Sequence, residues 1–145
     1  MAKCAFLNWK PRVFWVKPSV KYLSSYISKH QIDTIITTGP PHSVHLIGMQ
    51  LKVKHKLRWY ADFRDPWTDI SYHKNLNLTQ NTQQKHLKLE RQVLNKSDQI
   101  IVTSSQTKQL FSKITQPPIS SGLCFVFFCG VAQKEIITTI IAIFY

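Results

Sequence analysis

The chain has 145 residues, of which 43% are hydrophobic and 12% aromatic, and this composition excludes a disordered or low-complexity polypeptide. A formal charge of +12, from 19 Lys and Arg against 7 Asp and Glu, favours an anionic membrane surface or a phosphorylated substrate, although many basic proteins have no polyanionic partner. The basic residues are dispersed and form no arginine-rich or zinc-finger motif, so we expect no nucleic acid partner.

Three cysteines at positions 4, 124 and 129 fit neither a zinc site nor a disulfide framework, and the N-terminal segment lacks the apolar core of a signal peptide. We therefore expect reduced cysteines and a cytoplasmic location. Because the chain is basic, we also consider peripheral contact with the anionic inner face of the membrane.

The elements predicted along the chain alternate. A helix opens at Pro18, a β-branched strand covers 33–38, Ser43 caps a second helix, and a second strand covers 57–63. A helix capped by Thr79, a strand over 98–104 and a helix opened by Ser104 or Ser105 follow. The residues predicted to form the apolar helix stripes are Val20, Leu23, Ile27, Val44, Ile47, Leu51, Leu87, Leu89, Val93 and Leu94. Such alternation predicts an α/β fold with a Rossmann-like open parallel sheet and flanking helices.

The composition changes after Pro117-Pro118. We predict a Rossmann-like domain over 1–118 and an atypical apolar tail over 119–145, whose origin we take to be a truncated or frame-shifted gene. Its two apolar runs, 123–129 and 136–145, are each too short to span a bilayer. The first run is predicted as a strand, and the second as a strand or a short helix.

Two loops at predicted strand ends carry the candidate chemistry, because ligands of open parallel sheets bind beyond the carboxyl ends of the strands. In "TGPPHSVH" (38–45), Gly39 permits close backbone approach and Pro41 stiffens the turn. His42 and His45 are candidates for proton transfer or sugar binding, and Ser43 for an anion or hydroxyl site. The alternative is that His42 is a plain loop residue and Ser43 only a cap.

The second loop, "DFRDPWTD" (62–69), has three interpretations. Asp62 is a candidate general base or hydroxyl acceptor. Alternatively, Asp62, Asp65 and a histidine hold a metal ion, or Arg64 pairs with an aspartate while Pro66 and Trp67 pack the turn. The sequence has no phosphate-binding P-loop, dinucleotide fingerprint or Gly-x-Ser-x-Gly nucleophile motif.

"TGPPHSVHLIG", "ADFRDPW" and "LNKSDQIIVTS", in this order, resemble the N-terminal domain of bacterial family 4 glycosyltransferases, which have the two-domain GT-B fold. The resemblance covers roughly 11–114 and lacks the family's first strand and its donor-binding C-terminal domain. It implies retaining transfer of a hexose from a nucleotide sugar to a glycan or lipid-linked acceptor for the cell envelope or a polysaccharide, without a bound metal or other cofactor.

The resemblance also assigns site residues. Asp62 and Arg64 are the expected catalytic residues, and the expected substrate-binding residues are Gly39, Pro41, His42, Ser43, His45, Asp65 and Trp67. Because the donor-binding half is expected to be missing, we expect the chain to be inactive alone. The alternative function is a non-enzymatic binding module for a glycan or an anionic membrane surface.

Overall fold

The computed structural model describes residues 14–69, 79–121 and 140–143. Within these ranges the chain forms four helices: Val16–His30 (α1), Ser43–His55 (α2), Gln80–Lys96 (α3) and Ser105–Ser112 (α4). It also forms five strands: Thr34–Gly39 (β1), Arg58–Phe63 (β2), Gln99–Val102 (β3), Ile119–Ser121 (β4) and Ile140–Ile143 (β5).

The strands form one parallel sheet in the order β4-β3-β2-β1-β5, so the predicted α/β, Rossmann-like architecture is confirmed. Strands β1 to β4 follow one another across the sheet, with a helix before each. Strand β5 lies on the other side of β1, so the order of the strands reverses beside β1. Of the two alternatives for the run 136–145, the strand is observed over Ile140–Ile143, while the run 123–129 lies outside the described residues.

Helix α2 packs on one face of the sheet. Side chains of a strand alternate between the two faces, so every second residue of a strand points to the α2 side. Ile35 of β1 and Trp59, Ala61 and Phe63 of β2 belong to the core on this side, and all four are fully buried. Helix α2 lies close to the sheet at Gly48, where an added Cβ would be 2.5 Å from the indole nitrogen of Trp59.

The other face of the three central strands is also buried. Thr38, Asp62 and Ile101 are register partners on neighbouring strands, so they share this second face. Each is at most 6% exposed. The central strands are thus buried on both sides, as is typical of a parallel sheet.

The helix starts show which caps the sequence could predict. Thr79 and Ser104 cap α3 and α4, as predicted, since their hydroxyls accept from the N–H groups of Thr82 and Thr107. The prediction that Ser43 caps α2 is wrong, because His42 occupies the N-cap position and gives no side-chain cap.

Two further predictions need correction. Helix α1 begins at Val16 rather than at Pro18, which stands in the first turn, where a missing N–H costs no helical hydrogen bond. Leu87 does not belong to the buried stripe of α3, since it is 49% exposed, whereas Val93 and Leu94 are fully buried.

Within the described residues, no helix is long and apolar enough to cross a membrane.

Candidate functional site

The two candidate loops lie side by side. Strands β1 and β2 pair in parallel, with Thr38 opposite Asp62 and Gly39 opposite Phe63, so both loops leave the same edge of the sheet. The Arg64 N–H donates to the carbonyl of Gly39 at 3.4 Å. The Thr103 hydroxyl, after β3, donates to the carbonyl of Arg64 at 2.8 Å. Three successive strand ends are therefore joined at the backbone of Arg64.

Behind this edge, a buried polar chain joins Trp59, Thr37 and His45. The indole N–H of Trp59 donates to Thr37 Oγ1 at 2.8 Å, and Thr37 Oγ1 lies 2.8 Å from His45 Nδ1. The Thr37 hydroxyl accepts from the indole and keeps a proton and a second lone pair, so His45 Nδ1 accepts or donates in this bond according to the tautomer of the imidazole. The other ring nitrogen of His45, Nε2, has no hydrogen-bond partner among the described residues.

His45 is fully buried, and burial lowers the pKa of its imidazole well below the usual value, with the neighbouring His42 lowering that pKa further. Its Nε2 lies 2.8 Å from the position that a Cβ on Gly39 would take. Gly39 therefore allows the backbone to approach the His45 ring closely, and its φ is not positive.

His42 joins the aromatic layer under the sheet edge. Its ring centroid is 5.4 Å from that of Trp67, 5.7 Å from that of Phe63 and 5.9 Å from that of His45, all in stacked orientation. His45 stacks on Phe63 at 4.3 Å, and Phe63 meets Phe111 edge-on at 5.1 Å. His42 is only 8% exposed, so it is part of a packed layer rather than a plain loop residue.

The hydroxyl of Ser43 is engaged by a residue far along the chain. Trp15 Nε1, next to the start of α1, donates to Ser43 Oγ at 3.1 Å. This bond fixes α1 against the first turn of α2. Ser43 does not cap α2 because it is the first residue of that helix, one position after the N-cap residue His42.

The loop after β2 is held by α3. Glu90 Oε1 accepts from the N–H groups of Trp67 at 2.9 Å and Thr68 at 3.2 Å, and Glu90 Oε2 accepts from the Thr68 hydroxyl. The indole of Trp67 donates to His86 Nδ1 at 3.0 Å, one helical turn before Glu90. Burial raises the pKa of the Glu90 carboxyl, and Asp69 adds to that rise, while the hydrogen bonds from Thr68 and Trp67 oppose it.

Sequence reasoning missed Glu90, His86 and Thr103, which position the loop. One signal was present for Glu90: a carboxylate on the same helical stripe as Val93 and Leu94, at spacings of three and four residues, needs buried donors. No comparable signal pointed to Thr103, because its partner Arg64 is 39 residues away.

The predicted site residues divide between the two faces and the rim. Asp62 has no exposed surface, and it points to the face of the sheet opposite His45 and Phe63. Arg64 and Asp65 are exposed at the rim, while Pro41 is half-buried. Trp67 is 5% exposed, in agreement with the interpretation that it packs the turn. Direct substrate contact at these positions stays a prediction.

Two of the alternatives for this loop find no support in the described residues. Between residues 14–69, 79–121 and 140–143 the one ion pair joins Lys52 Nζ to Asp98 Oδ1 at 2.7 Å, so Arg64 does not pair with Asp62, Asp65 or Asp69. The same ranges contain no group of three His, Cys, Asp or Glu side chains placed to hold a metal ion.

Comparisons of the chain with protein-family models, with curated proteins and with solved structures found no match. The fold is that of a small α/β domain with a parallel sheet, and its function has to be inferred from the motifs and the geometry of the sheet edge.

Proposed function

We propose that the chain forms the acceptor-side half of a two-domain glycosyltransferase resembling family 4. The reaction is the retaining transfer of a hexose from a nucleotide sugar to a glycan or lipid-linked acceptor. The supporting observation is the parallel pairing of β1 with β2, which brings "TGPPHS" and "DFRDPW" together at one sheet edge. A ligand of an open parallel sheet is expected at such an edge.

In this proposal Arg64 contacts the anionic part of the donor. Its side chain is exposed, while its backbone N–H and carbonyl are both held, by Gly39 and Thr103. The fixed backbone sets the position from which the side chain extends, and the planar guanidinium can donate two hydrogen bonds to a phosphate group. Asp65, also exposed, accepts a hydrogen bond from an acceptor hydroxyl.

Asp62 has a different position, because its carboxylate lies at the end of β2 on the second face of the sheet. As a base or hydroxyl acceptor it would have to be reached from that face, and it has no exposed surface in this structure. The proposal therefore requires that Asp62 become accessible from that face when an acceptor binds.

His45 acts as a positioning residue in the proposal. It has no exposed surface, and its ring contacts Thr37 on one side and approaches Gly39 on the other. Together with the stacked rings of His42 and Trp67, it forms a rigid base for the two loops. A neutral, buried imidazole suits this role, because a charge there would cost desolvation free energy.

The proposal predicts that the 145-residue chain has no transferase activity by itself. In enzymes of the two-domain type that the motifs resemble, the nucleotide sugar is held by the opposite domain. Transfer depends on a donor preorganised against the acceptor, which one wall of a cleft does not supply.

Amide chemical-shift mapping on the full chain tests the proposal. The titrants are a panel of oligosaccharides and short-chain isoprenyl phosphate sugars, with a nucleotide sugar alone as the comparison. We expect shifts at the N–H groups of the non-proline residues in 39–45 and 62–69 with acceptor-type ligands, and much weaker effects with the nucleotide sugar. R64A should weaken the effect of phosphate-bearing ligands, whereas R91A, at an exposed arginine on α3, should not.

Shifts concentrated away from these two loops would overturn the proposal, and so would the absence of any shift across the whole panel. Sustained sugar transfer by the purified chain would contradict the assignment of this chain as one half of the catalytic unit.

A further inference from the structure

The outward face of α1 carries two rows of side chains at four-residue spacing. The aromatic row has three aromatic residues and one proline, Phe14, Pro18, Tyr22 and Tyr26, of which Phe14 lies two residues before the helix. The lysine row has three lysines and one serine, Lys17, Lys21, Ser25 and Lys29. All eight residues are exposed, and Phe14 and Tyr22 have about 70% of their surface in solvent (71% and 70%). Residues four apart are neighbours on one side of a helix, so these rows form a continuous surface, which we call the α1 face.

The α1 face is not needed for the packing of the helix. Val16 and Ile27 on the opposite side are buried in the core, and α1 packs on α2 through that side. Between the two rows lies a shallow depression of about 480 Å³, lined by Pro18, Lys21, Tyr22, Ser25, Tyr26 and Lys29. Single exposed apolar residues are common on protein surfaces, but a continuous row of them indicates a partner.

The charge of the α1 face has one sign. Helix α1 contains no acidic residue, and Lys54 of α2 reaches its flank, where Nζ donates to Ser24 Oγ at 3.0 Å. The first acidic residue after the helix is Asp33, whose carboxylate accepts from the Thr34 hydroxyl, beyond the C-terminal end of α1. The partner of the α1 face should therefore be anionic.

We propose that the α1 face docks the protein on the surface of an anionic lipid bilayer. The aromatic row would lie at the boundary between headgroups and acyl chains, and the lysine ammonium groups would contact lipid phosphates. Tyrosine and lysine side chains have an apolar body with a polar or charged end, and the phenylalanine side chain is apolar throughout. Side chains of these kinds are typical of helices that lie at a membrane interface. The convex surface of a helix fits a planar partner, whereas a glycan chain is ordinarily held in a concave groove.

The position of α1 gives this docking a consequence for the candidate site. Phe14 is adjacent to Trp15, whose indole donates to Ser43 Oγ at the start of α2. One end of the α1 face is therefore next to the sheet edge, and docking would hold that edge close to the headgroups. The docking itself rests on α1 alone, so it stands whether or not the chain belongs to a sugar-transferring enzyme.

Sedimentation of the full chain with lipid vesicles tests the proposal. Vesicles of phosphatidylcholine with 30 mol% phosphatidylglycerol (about one anionic lipid in three) are compared with vesicles of phosphatidylcholine alone, over a salt series. We expect binding to the anionic vesicles that weakens as the salt concentration rises, and weak or no binding to the neutral ones.

Matched variants locate the contact. Each lysine near an anionic surface contributes about fivefold in affinity, so K17Q/K21Q/K29Q should bind on the order of a hundredfold more weakly. The control K85Q/K88Q/K108Q removes the same charge from exposed lysines of α3 and α4, and should bind within a few-fold of the unmodified chain. F14A/Y22A should also weaken binding, whereas V53A/L87A, at exposed apolar residues elsewhere, should not.

Equal losses in the two lysine triples would overturn the proposal, because the attraction would then come from net charge and not from the α1 face. Binding to a soluble acidic polysaccharide without binding to anionic vesicles would overturn it in favour of a glycan. Far-UV circular dichroism of each variant checks that the fold is retained, since every substituted side chain is exposed.

Discussion

Gly48 sets the distance between α2 and the sheet, so replacing it with alanine should destabilise the protein. A Cβ at this position would lie 2.5 Å from Trp59 Nε1, 2.8 Å from Trp59 Cε2 and 2.7 Å from Thr37 Cγ2. Neither neighbour can move aside easily, since Trp59 and Thr37 are both fully buried and bonded to each other.

The magnitude follows from two opposed effects. Alanine in a helix interior is favoured over glycine by up to about 1 kcal/mol. The new methyl would sit about 0.9 Å inside an ordinary 3.4 Å contact, and overpacking of this kind costs about 1–3 kcal/mol. Displacing the Trp59 indole also strains its hydrogen bond to Thr37, at a cost of about 1 kcal/mol. The expected net loss in the free energy of unfolding is about 1–3 kcal/mol.

Urea denaturation followed by circular dichroism measures this loss. With a slope of about 2 kcal/mol per molar urea, a loss of 2 kcal/mol lowers the midpoint by about 1 M. The control compares Q50A with Q50G at exposed Gln50 of the same helix, where alanine should be the more stable by about 1 kcal/mol.

The sign of the alanine effect should thus reverse between Gln50 and Gly48. A G48A protein as stable as the unmodified chain, with the expected order at Gln50, would refute the reasoning. It would show that α2 can move away from β1 and β2 without a measurable cost in packing.

Three further predictions concern the site and its supports. E90L should lower the free energy of unfolding, measured by urea denaturation, by about 2–4 kcal/mol, because it leaves the N–H groups of Trp67 and Thr68 without an acceptor. E90Q keeps an acceptor oxygen and should lower it by less than about 1 kcal/mol. The free energy of unfolding should fall by up to about 1.4 kcal/mol per pH unit as the pH drops below about 6.5, because His45 takes up a proton in the unfolded chain but not when it is buried in the folded one. H45N should remove that part of the pH dependence. S104A should lower the free energy of unfolding by about 1 kcal/mol, because α4 loses its N-cap. S105A, at the first residue inside the helix, should lower it by only a few tenths of a kcal/mol.

The pH prediction has a definite sign. The folded pKa of His45 lies below the unfolded one, so its share of stability is complete above about pH 6.5 and is lost as the pH falls towards the folded pKa. The contribution of Glu90 has the opposite sign, because its pKa is raised in the folded state. Its contribution to the free energy of unfolding is complete below its ordinary pKa and is lost as the pH rises through its pKa in the folded state. E90Q should remove that second change.

Several outcomes would contradict these predictions. Equal losses in E90L and E90Q would mean that the hydrogen bonds to the loop contribute little. An unchanged acid slope in H45N would assign the proton uptake to another group. Equal losses in S104A and S105A would place the effect on α4 outside the cap.

The sequence predicted the elements well where their causes are local. The β-branched run at 33–38 and the apolar runs at 57–63 and 98–104 each form a strand within a residue or two of the expected bounds. Thr79 and Ser104 act as caps because the N–H group that each accepts from is three residues away. The parallel alignment of the two loops followed from the alternation of helices and strands.

The site was only partly predictable, because its supports come from distant parts of the chain. Ser43 is a residue type that often caps a helix, but it is the first residue inside α2, and its hydroxyl accepts from Trp15, 28 residues earlier. Leu87 fitted the periodicity of α3, yet it is exposed, whereas Glu90, three residues later, is buried and accepts from the N–H groups of Trp67 and Thr68. Arg64 stood among three aspartates and pairs with none of them.

The sequence by itself therefore determined the order of helices and strands, their parallel arrangement and the two loops that share one edge, since these depend on periodicity, turn residues and short-range hydrogen bonds. Only the tertiary structure decided which polar groups support that edge and which face Asp62 takes. Those outcomes depend on contacts between residues 19 to 39 positions apart, such as Trp67 with His86 and Arg64 with Thr103, and on the need of buried N–H groups such as that of Trp67 for an acceptor.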